Sequence, residues 1–523
     1  MWNSLKIIKI IFDFRIIIII FDLEEKNRKM TPTIEQTLFL EATISPQIKD
    51  ILLNAKAGSG KTTTIVMAVK ALPPGSSILI GAFNRNIQKE LAERLKGIPG
   101  VDCRTSHSFG RSLLPSKLRM DEHKLNRHFD NMLRENEWEW LKSVEDRENV
   151  LKGVKALANL IRLELASTSE KIIALCKKHG LILDAAQRDA GRELCKRLYN
   201  DVANIDFTDM LFLAATLPEE KLLLRKFKYI FIDEAQDLNA AQWRLYRRAL
   251  AADGKIIAVG DNSQAIYGFT GADVGAWNDY AEKAEVLPLS VCWRCSKAVI
   301  EYTNRIDTEI KAADTAIDGM VYHDQTLDMV RPGDVVLCRN TAPLIKGCYS
   351  LIAEGKKAMI QGTDIGANLI KFVQSFKAND LPELNSLMAS KLSETLDKLM
   401  RVFPNMSLDE VVETPSYSNL KDKIDCVNHM IYNVPDVNDT GSLCKFIKTL
   451  FGEQTEGVLF STVHKAKGLE WNRVFIMEPE LLTRRRNGEQ PWQLEQARNL
   501  EYVAYTRARV SLHIMRSLKK PKK

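Results

Sequence analysis

The stretch from Ala55 to Thr63 combines glycine, lysine and hydroxyl residues at the spacing of a loop that binds nucleotide phosphates. Gly58 and Gly60 can adopt backbone angles closed to other residues, so that successive N–H groups converge on a phosphate. Lys61 can then reach the β- and γ-phosphates, and the Thr62 hydroxyl can ligate Mg²⁺. A glycine-rich turn before a surface helix is the alternative interpretation. The predicted loop comprises Ala55, Lys56, Ala57, Gly58, Ser59, Gly60, Lys61, Thr62 and Thr63.

Two carboxylates follow the apolar run Tyr229–Ile232, which predicts a buried strand. Ligands of parallel α/β sheets lie at the carboxyl ends of the strands. Asp233 is therefore placed to hold Mg²⁺ through water, and Glu234 to act as general base for an attacking water. Acidic residues that cap the following helix are the alternative. Gln264 follows a further apolar run and can sense a γ-phosphate, because its hydrogen-bond partner disappears on hydrolysis.

Tyr267 and Phe269 lie just beyond Gln264, and their rings can stack on nucleic-acid bases. Packing of both rings in the core is the alternative. The net charge of +7 is modest and says little about nucleic acid by itself. Basic clusters at Arg484–Arg486 and Arg516–Lys523 are either phosphate-binding or simply solvated.

The elements that must position these residues follow an α/β pattern, with mainly apolar runs of three to seven residues separated by helical stretches. Residues 110–204 are instead charged and rich in leucine and alanine, which predicts a helical insertion. Residues 370–450 are predicted to be helical and irregular, and we interpret their middle as a small second insertion. The run Val286–Leu289 is expected to begin a second α/β region. Strands are predicted at Ile51–Leu53, Ser77–Phe83, Val101–Arg104, Tyr229–Ile232, Lys255–Gly260, Val286–Leu289, Val335–Cys338, Lys357–Gln361, Val458–Thr462, Val474–Met477 and Leu512–Met515, and helices at Thr62–Lys70 and Arg85–Lys96.

At 523 residues the chain is long enough for several domains. Its nine cysteines are scattered, which fits a reducing cytosol, and the close pair Cys292 and Cys295 lacks the further ligands of a zinc site. We therefore expect a cytoplasmic protein. The isoleucine-rich start has no uncharged run long enough to span a membrane. We expect translation to begin at Met30, with a membrane anchor as the alternative.

Five motifs, taken in order, resemble those of superfamily 1 DNA helicases of the UvrD/Rep family. The strict phosphate-loop pattern has glycine at position 55, but this family also accepts alanine there. The resemblance runs from about Thr33 to Ile514. It implies an α/β fold with two RecA-like P-loop motor domains, each with a parallel sheet and a helical insertion, and ATP in the cleft between them. The motifs are Ala55–Thr62, Asp233–Asp237, Val259–Tyr267, Thr462–Glu470 and Tyr502–Ala508.

The resemblance also assigns roles to residues outside the phosphate loop. Gln36, whose amide can pair with the edge of adenine, would contact that base, and Trp293 would stack on it in place of the family's usual tyrosine. Glu470 would bind the ribose. Arg294 and Arg507 would contact the γ-phosphate, with surface ion pairs as the alternative. The residues expected near DNA are Phe83, His107, Tyr267, Phe269 and His464, although either histidine is also plausible as a core residue.

Some positions depart from the family pattern. Phe269 replaces a tryptophan, and Gly268 and Thr270 replace two flanking arginines, which weakens the expected grip on DNA. The short second insertion suggests a compact, phage-like or small bacterial branch, and we expect no nuclease domain after Ala508. The expected domains are residues 1–29, a doubtful N-terminal extension; 30–109 and 205–283, the first motor domain; 110–204, its helical insertion; 284–375 and 446–523, the second motor domain; and 376–445, its small helical insertion.

The resemblance implies an ATP- and Mg²⁺-dependent helicase that moves 3′ to 5′ on single-stranded DNA and unwinds duplex. One alternative is a single-strand translocase that strips proteins from DNA without unwinding. Another is a DNA-binding adaptor that uses ATP as a conformational switch. The expected partners are single-stranded and partly duplex DNA and proteins of replication or repair, and no membrane.

Overall fold

The computed structural model describes residues 32–135, 138, 147–201, 203–266, 274–402, 406–412, 414–452, 456–483 and 491–516. The chain divides into two compact units between Ser290 and Val291. Each unit contains one large parallel sheet with helices, which confirms the predicted α/β class. The expected N-terminal extension and the start at Met30 lie outside the described residues.

The first unit is built on a six-stranded parallel sheet in the order β3-β2-β6-β7-β1-β8. A two-stranded parallel ladder joins β4 to β5. Because β6, β7 and β1 are neighbours, their carboxyl ends lie at the same edge of the sheet. The strands are β1 (Ile51–Ala55), β2 (Ile78–Ala82), β3 (Val101–Thr105), β4 (Arg119–Met120), β5 (Asn204–Ile205), β6 (Phe227–Ile232), β7 (Leu250–Gly260) and β8 (Glu285–Leu289).

Helices cover both faces of this sheet, because alternate residues of the buried strands point to opposite sides. Ile51 and Leu53 pack with α1 and α2, whereas Leu52 packs with α4, α9 and α10 in a second core. The helices are α1 (Ile34–Ile44), α2 (Lys61–Ala71), α3 (Arg85–Arg94), α4 (Ser106–Leu113), α5 (Lys124–Glu135), α6 (Arg147–Glu164), α7 (Ser169–His179), α8 (Ala185–Asn200), α9 (Asp209–Thr216), α10 (Ala240–Ala249) and α11 (Val274–Ala281), with short 3₁₀ turns at Glu219–Lys221, Ala235–Asp237 and Asn262–Gln264.

Helices α5 to α8 form a hydrophobic core of their own, as the sequence pattern of residues 110–204 predicts for several helices. A buried charge network joins them to α9. Lys124 Nζ lies 2.6 Å from Asp209 Oδ2 and also donates to the Leu198 carbonyl. Arg162 Nη1 donates to Asp209 Oδ1 over 2.9 Å and to Asp206. Lys124, Arg162 and Asp209 are fully buried.

Replacing Asp209 with alanine is expected to lower the free energy of unfolding by about 3–5 kcal/mol, because two buried cations lose their shared carboxylate. Denaturant unfolding checks this. The matched control is Asp253→Ala in the same unit: Asp253 is 74% exposed and pairs with Lys228, so its loss is expected to cost less than about 1 kcal/mol. An equally small cost for Asp209→Ala would mean that water already screens Lys124 and Arg162.

The second unit is built on a seven-stranded parallel sheet in the order β11-β17-β16-β12-β15-β13-β14, and β9 pairs in parallel with β10. The strands are β9 (Val291–Cys292), β10 (Lys311–Ala312), β11 (Met320–Gln325), β12 (Val335–Cys338), β13 (Ala358–Gln361), β14 (Phe451–Gly452), β15 (Val458–Thr462), β16 (Trp471–Ile476) and β17 (Ala508–Met515). The helices are α12 (Lys297–Thr303), α13 (Thr341–Ala353), α14 (Thr363–Ser375), α15 (Leu381–Val402), α16 (Leu408–Val412), α17 (Pro415–Asn433), α18 (Thr440–Leu450), α19 (Val463–Ala466) and α20 (Pro491–Tyr505), with 3₁₀ turns at Leu327–Met329 and Pro479–Leu481.

Residues 363–450 are helical, as predicted, apart from short connections and the undescribed positions. Their packing differs from that of the first insertion. Leu384 and Met388 of α15 and Val427 of α17 belong to the same core as Val336 and Phe460 of the sheet. These helices therefore extend the core of the second unit.

The predicted strand at Val286–Leu289 is confirmed, but the prediction that it begins the second α/β region was wrong. This strand, β8, pairs in parallel with β1 along its whole length and completes the first sheet. An apolar run predicts a strand but carries no information on which sheet the strand joins. The strand β11 was not predicted at all, because its side chains are mostly exposed and provide no apolar run.

Candidate functional site

The predicted phosphate loop lies between the end of β1 and the start of α2. Gly58 and Gly60 have φ angles of 68° and 86°, the left-handed region that the sequence predicted for them. A Cβ on Gly60 would meet no atom within 4 Å, so the backbone angle, and not crowding, requires glycine there. Ala55 ends β1 with extended backbone, which explains why alanine is tolerated at this position.

Lys61 begins α2 and faces the carboxyl ends of β6 and β7. Its Nζ atom lies 3.2 Å from Glu234 Oε1. Burial by itself lowers the pKa of Lys61, but the carboxylates of Glu234, Asp261 and Asp233 offset this and leave the pKa above its usual value. Lys61 is therefore protonated and positively charged at neutral pH.

Asp233 directly follows β6 and is 3% exposed. Burial, followed by the neighbouring charge of Glu234, raises the pKa of Asp233 to about 7. A cation at this carboxylate would reverse the shift, because it favours the charged form. Glu234 adopts a left-handed backbone with φ of 51°, so its side chain leaves the strand direction and turns toward Lys61.

A chain of three hydrogen bonds connects Glu234 with Gln264. Gln236 Nε2 donates to Glu234 Oε2, and Gln236 Oε1 accepts from the Asp261 backbone N–H over 3.0 Å. Gln264 Nε2 in turn donates to Asp261 Oδ2 over 2.7 Å. The structure thus brings together two predicted residues through two that were given no role, Gln236 and Asp261. Both stand inside the predicted motifs, and their position just after the predicted strands was the available signal.

Gln36 lies against the first turn of α2. Its Nε2 donates to Thr64 Oγ1 over 3.0 Å, and its Oε1 accepts from the Thr33 backbone N–H. The side chain thereby caps α1 and fixes α1 to the helix that follows the phosphate loop. Its predicted contact with adenine stays a prediction.

The residues at the loop fit a nucleotide with Mg²⁺. Ser59 Oγ is buried and has no hydrogen-bond partner within the described residues, so a polar group is accommodated there. The first N–H groups of α2, which follow Gly60, suit an anion. Among the described residues no cluster of three or more His, Cys, Asp or Glu is arranged to hold a metal.

Four predicted residues of the second unit lie near one another. Arg294 pairs with Glu470 and also donates from Nη1 to the Thr506 carbonyl over 3.4 Å. Arg507 is 1% exposed, and its guanidinium donates to the carbonyls of Val503 and Leu469 and to Thr506 Oγ1. Trp293, next to Arg294, is 54% exposed. The exposed ring is available for stacking, whereas Arg507 is held in place by backbone acceptors.

Of the predicted DNA contacts, Phe83 is exposed and His107 stacks on Phe207 with ring centroids 3.9 Å apart. Burial lowers the pKa of both His107 and His464 to about 4, so both rings are neutral at neutral pH. Phe207 is 60% exposed and was not predicted, because it lies 100 residues from His107 along the chain. Tyr267 and Phe269 lie outside the described residues, so their predicted stacking is untested.

The parallel sheets, the glycine-rich loop and the strand-end carboxylates are those of a P-loop NTPase. The family model described as UvrD/REP helicase N-terminal domain matches residues 39–285, and the one described as UvrD-like helicase C-terminal domain matches residues 182–519. The chain therefore belongs to the UvrD-like helicase family, which confirms the predicted family and the RecA-like fold of its two motor domains.

Several proteins with assigned names are similar to the chain. "ATP-dependent DNA helicase PcrA" of Bacillus subtilis is 28% identical over 288 residues, which cover 49% of this chain and 37% of PcrA. "F-box DNA helicase protein 1" of Schizosaccharomyces pombe is 24% identical, covering 94% of this chain and 58% of that protein. A "Probable DNA helicase II homolog" of Rickettsia conorii is 22% identical, covering 89% and 90%. The chain thus spans less than two thirds of PcrA and of the F-box helicase. No helix among the described residues is long and apolar enough to cross a membrane.

Proposed function

We propose that this protein is an ATP-dependent DNA helicase that hydrolyses ATP to move 3′ to 5′ along single-stranded DNA and to unwind duplex. The observation that carries the proposal is the bonded series from Lys61 through Glu234, Gln236 and Asp261 to Gln264 in a chain of the UvrD-like helicase family. A lysine for the phosphates, a base for water and a sensor amide are joined in one network of an ion pair and hydrogen bonds. A protein that only bound ATP would need no general base.

In the proposed mechanism, Lys61 and the N–H groups of the loop hold the β- and γ-phosphates. Thr62 and Asp233 would hold Mg²⁺, which supplies positive charge to the phosphate oxygens. Glu234 accepts a proton from the attacking water. Gln264 hydrogen-bonds to the γ-phosphate. When hydrolysis removes this phosphate, Gln264 changes position, and its hydrogen bond to Asp261 connects this change to Glu234.

We further propose roles for residues that contact the rest of the nucleotide. Gln36 contacts adenine and Trp293 stacks on it, because the Trp293 ring is exposed. Glu470 binds the ribose, and Arg294 and Arg507 stabilise charge on the γ-phosphate. Arg294 and Glu470 form an ion pair with each other. This ion pair must therefore break before Arg294 can contact the γ-phosphate and Glu470 the ribose.

DNA is the proposed polymer substrate, because the curated relatives carry the name DNA helicase and an aromatic platform is exposed on the first unit. Phe83, His107 and Phe207, with His464 in the second unit, are the proposed contacts, together with Tyr267 and Phe269. Neutral histidines contact DNA by stacking and hydrogen bonding, and not by charge. Replication or repair proteins are the proposed protein partners, and the cytoplasm the proposed location.

Replacing Phe207 with alanine is expected to weaken single-stranded DNA binding by about 1–3 kcal/mol, roughly 5- to 150-fold, because a stacking face is lost. Anisotropy of a labelled oligonucleotide at fixed salt measures this. Leu223→Ala is the matched control, since Leu223 is a similarly exposed apolar residue of the same unit. If both variants bind DNA like the wild type, the Phe207–His107 stack lies off the DNA path.

ATP hydrolysis measured with and without single-stranded DNA tests the proposed motor. We expect DNA to raise the rate severalfold or more, since each step along DNA requires a hydrolysis cycle. A rate that does not respond to DNA would favour the ATP-switched adaptor. Stimulated hydrolysis without strand displacement would favour the translocase that strips proteins from DNA.

A further inference from the structure

Two cysteines flank Trp293 and Arg294 in the second unit. Cys292 and Cys295 are free thiols, and both are buried. The Cys295 backbone N–H donates to Cys292 Sγ over 3.4 Å, so the Cys292 side chain turns back over the following turn toward Cys295. In a Cys-X-X-Cys arrangement, one thiol can stabilise the thiolate of the other.

Cys295 shares a hydrogen-bond acceptor with Arg294. Cys295 Sγ donates to the Thr506 carbonyl over 3.6 Å, and Arg294 Nη1 donates to the same oxygen over 3.4 Å. The hydroxyl of Thr506 accepts from Arg507 Nη2 over 3.1 Å. Cys295 is therefore in direct contact with Thr506, which accepts hydrogen bonds from both arginines.

The segment that carries the pair is anchored at both ends. The Cys292 carbonyl accepts from the Ala313 N–H over 3.1 Å, next to the β9–β10 ladder. Ser296 donates from its backbone to the Arg509 carbonyl and from its hydroxyl to the Val510 carbonyl. If the two sulfur atoms move together to bond, the backbone of Trp293 and Arg294, which lie between the anchors, must therefore change conformation.

We propose that Cys292 and Cys295 form a redox modification site, in which hydrogen peroxide converts the two thiols to a disulfide that displaces Arg294 and lowers ATP hydrolysis. The effect on hydrolysis rests on the proposed function, whereas the disulfide does not. The Cys292 thiolate attacks one peroxide oxygen, the O–O bond breaks, and the leaving hydroxide takes up a proton to form water. Cys295 then attacks the sulfenic sulfur, the S–O bond breaks, and a second water leaves with the Cys295 proton. Two thiols lose two electrons, and the peroxide becomes two waters.

The environment of each thiol favours Cys292 as the attacking group. The single S–H of Cys295 can turn from the Thr506 carbonyl to Cys292 Sγ. A hydrogen bond from it there lowers the pKa of Cys292 to about 7, against the opposing effect of burial, whereas the pKa of Cys295 is raised. Burial and Asp102 raise the pKa of the partly exposed Cys103 to about 11. Because peroxide reacts with thiolates, Cys292 is expected to react although its sulfur is shielded, once the segment around the half-exposed Trp293 opens.

The site is tested on the full chain, reduced, freed of reductant and treated with hydrogen peroxide. Trypsin cleaves after Arg294, between the two cysteines, so a disulfide appears as two linked peptides that separate on reduction. We expect this linked species, together with a fall in DNA-stimulated hydrolysis of about 10-fold or more that reductant reverses. Cys292→Ser/Cys295→Ser is expected to keep its own untreated rate under peroxide. Cys444→Ser, a partly exposed thiol of the same unit, is expected to respond like the wild type.

Absence of the linked peptides from treated wild type would overturn the site, whatever the rate of hydrolysis. A disulfide that leaves hydrolysis unchanged would overturn the coupling to Arg294. Equal inactivation of the double-serine variant would assign the effect to another thiol. If the reduced wild type shows no DNA-stimulated hydrolysis, the proposed function fails, and the peptide map alone still decides whether the modification site exists.

Discussion

Replacing Lys61 with alanine is expected to lower the rate of DNA-stimulated ATP hydrolysis by about 100-fold or more and to abolish movement along DNA. Lys61 forms an ion pair with Glu234 and also interacts electrostatically with Asp233 and Asp261. Its removal takes a positive charge from the phosphates and leaves three carboxylates that repel them. Hydrolysis measured at saturating single-stranded DNA checks the first effect, and single-strand binding is expected to remain largely intact.

The matched control for Lys61 is Lys70→Ala, at the exposed far end of the same helix, α2. This variant is expected to hydrolyse ATP at the wild-type rate. If Lys61→Ala instead lost DNA binding as severely as hydrolysis, the loop would be needed for folding, and thermal unfolding of the variant would show the same defect.

Replacing Glu234 with glutamine is expected to slow hydrolysis by about 10²- to 10⁴-fold, the usual contribution of a general base. Glutamine keeps the size of the side chain and can still accept the hydrogen bond from Gln236. Nucleotide binding should therefore persist, because Lys61 and the loop remain in place. Single-turnover hydrolysis and binding of a fluorescent ATP analogue separate the two effects.

The control for Glu234 is Glu93→Gln, an exposed carboxylate of α3 that is expected to leave hydrolysis unchanged. A Glu234→Gln variant that lost nucleotide binding in proportion to hydrolysis would contradict the assigned role. In that case Glu234 would act mainly by holding Lys61 in position. The variant would then resemble Lys61→Ala in every measurement.

Local geometry at the phosphate loop could be predicted from sequence, because it depends on neighbouring residues. The left-handed angles of Gly58 and Gly60 follow from their lack of a side chain. The positions of Asp233 and Glu234 follow from the apolar strand that precedes them. In each case a few adjacent residues decide the conformation, so spacing along the chain is sufficient.

Other features depended on contacts between distant segments. Sequence spacing could not show that Gln236 and Asp261 connect Glu234 with Gln264, or that Phe207 covers His107. The pairing of β8 with β1 was missed because strand order is decided by tertiary packing. Likewise, residues 370–450 were predicted to be helical, but sequence could not show that α15 and α17 join the core of the second sheet.

Strand displacement on tailed duplexes tests the proposed helicase most directly. With ATP and Mg²⁺, the wild-type protein is expected to release the strand from a duplex with a 3′ single-stranded tail, and not from one with a 5′ tail or blunt ends. The Lys61→Ala variant should release neither. Release from the 5′-tailed duplex alone, or no release while DNA-stimulated hydrolysis proceeds, would contradict the account of a 3′-to-5′ helicase.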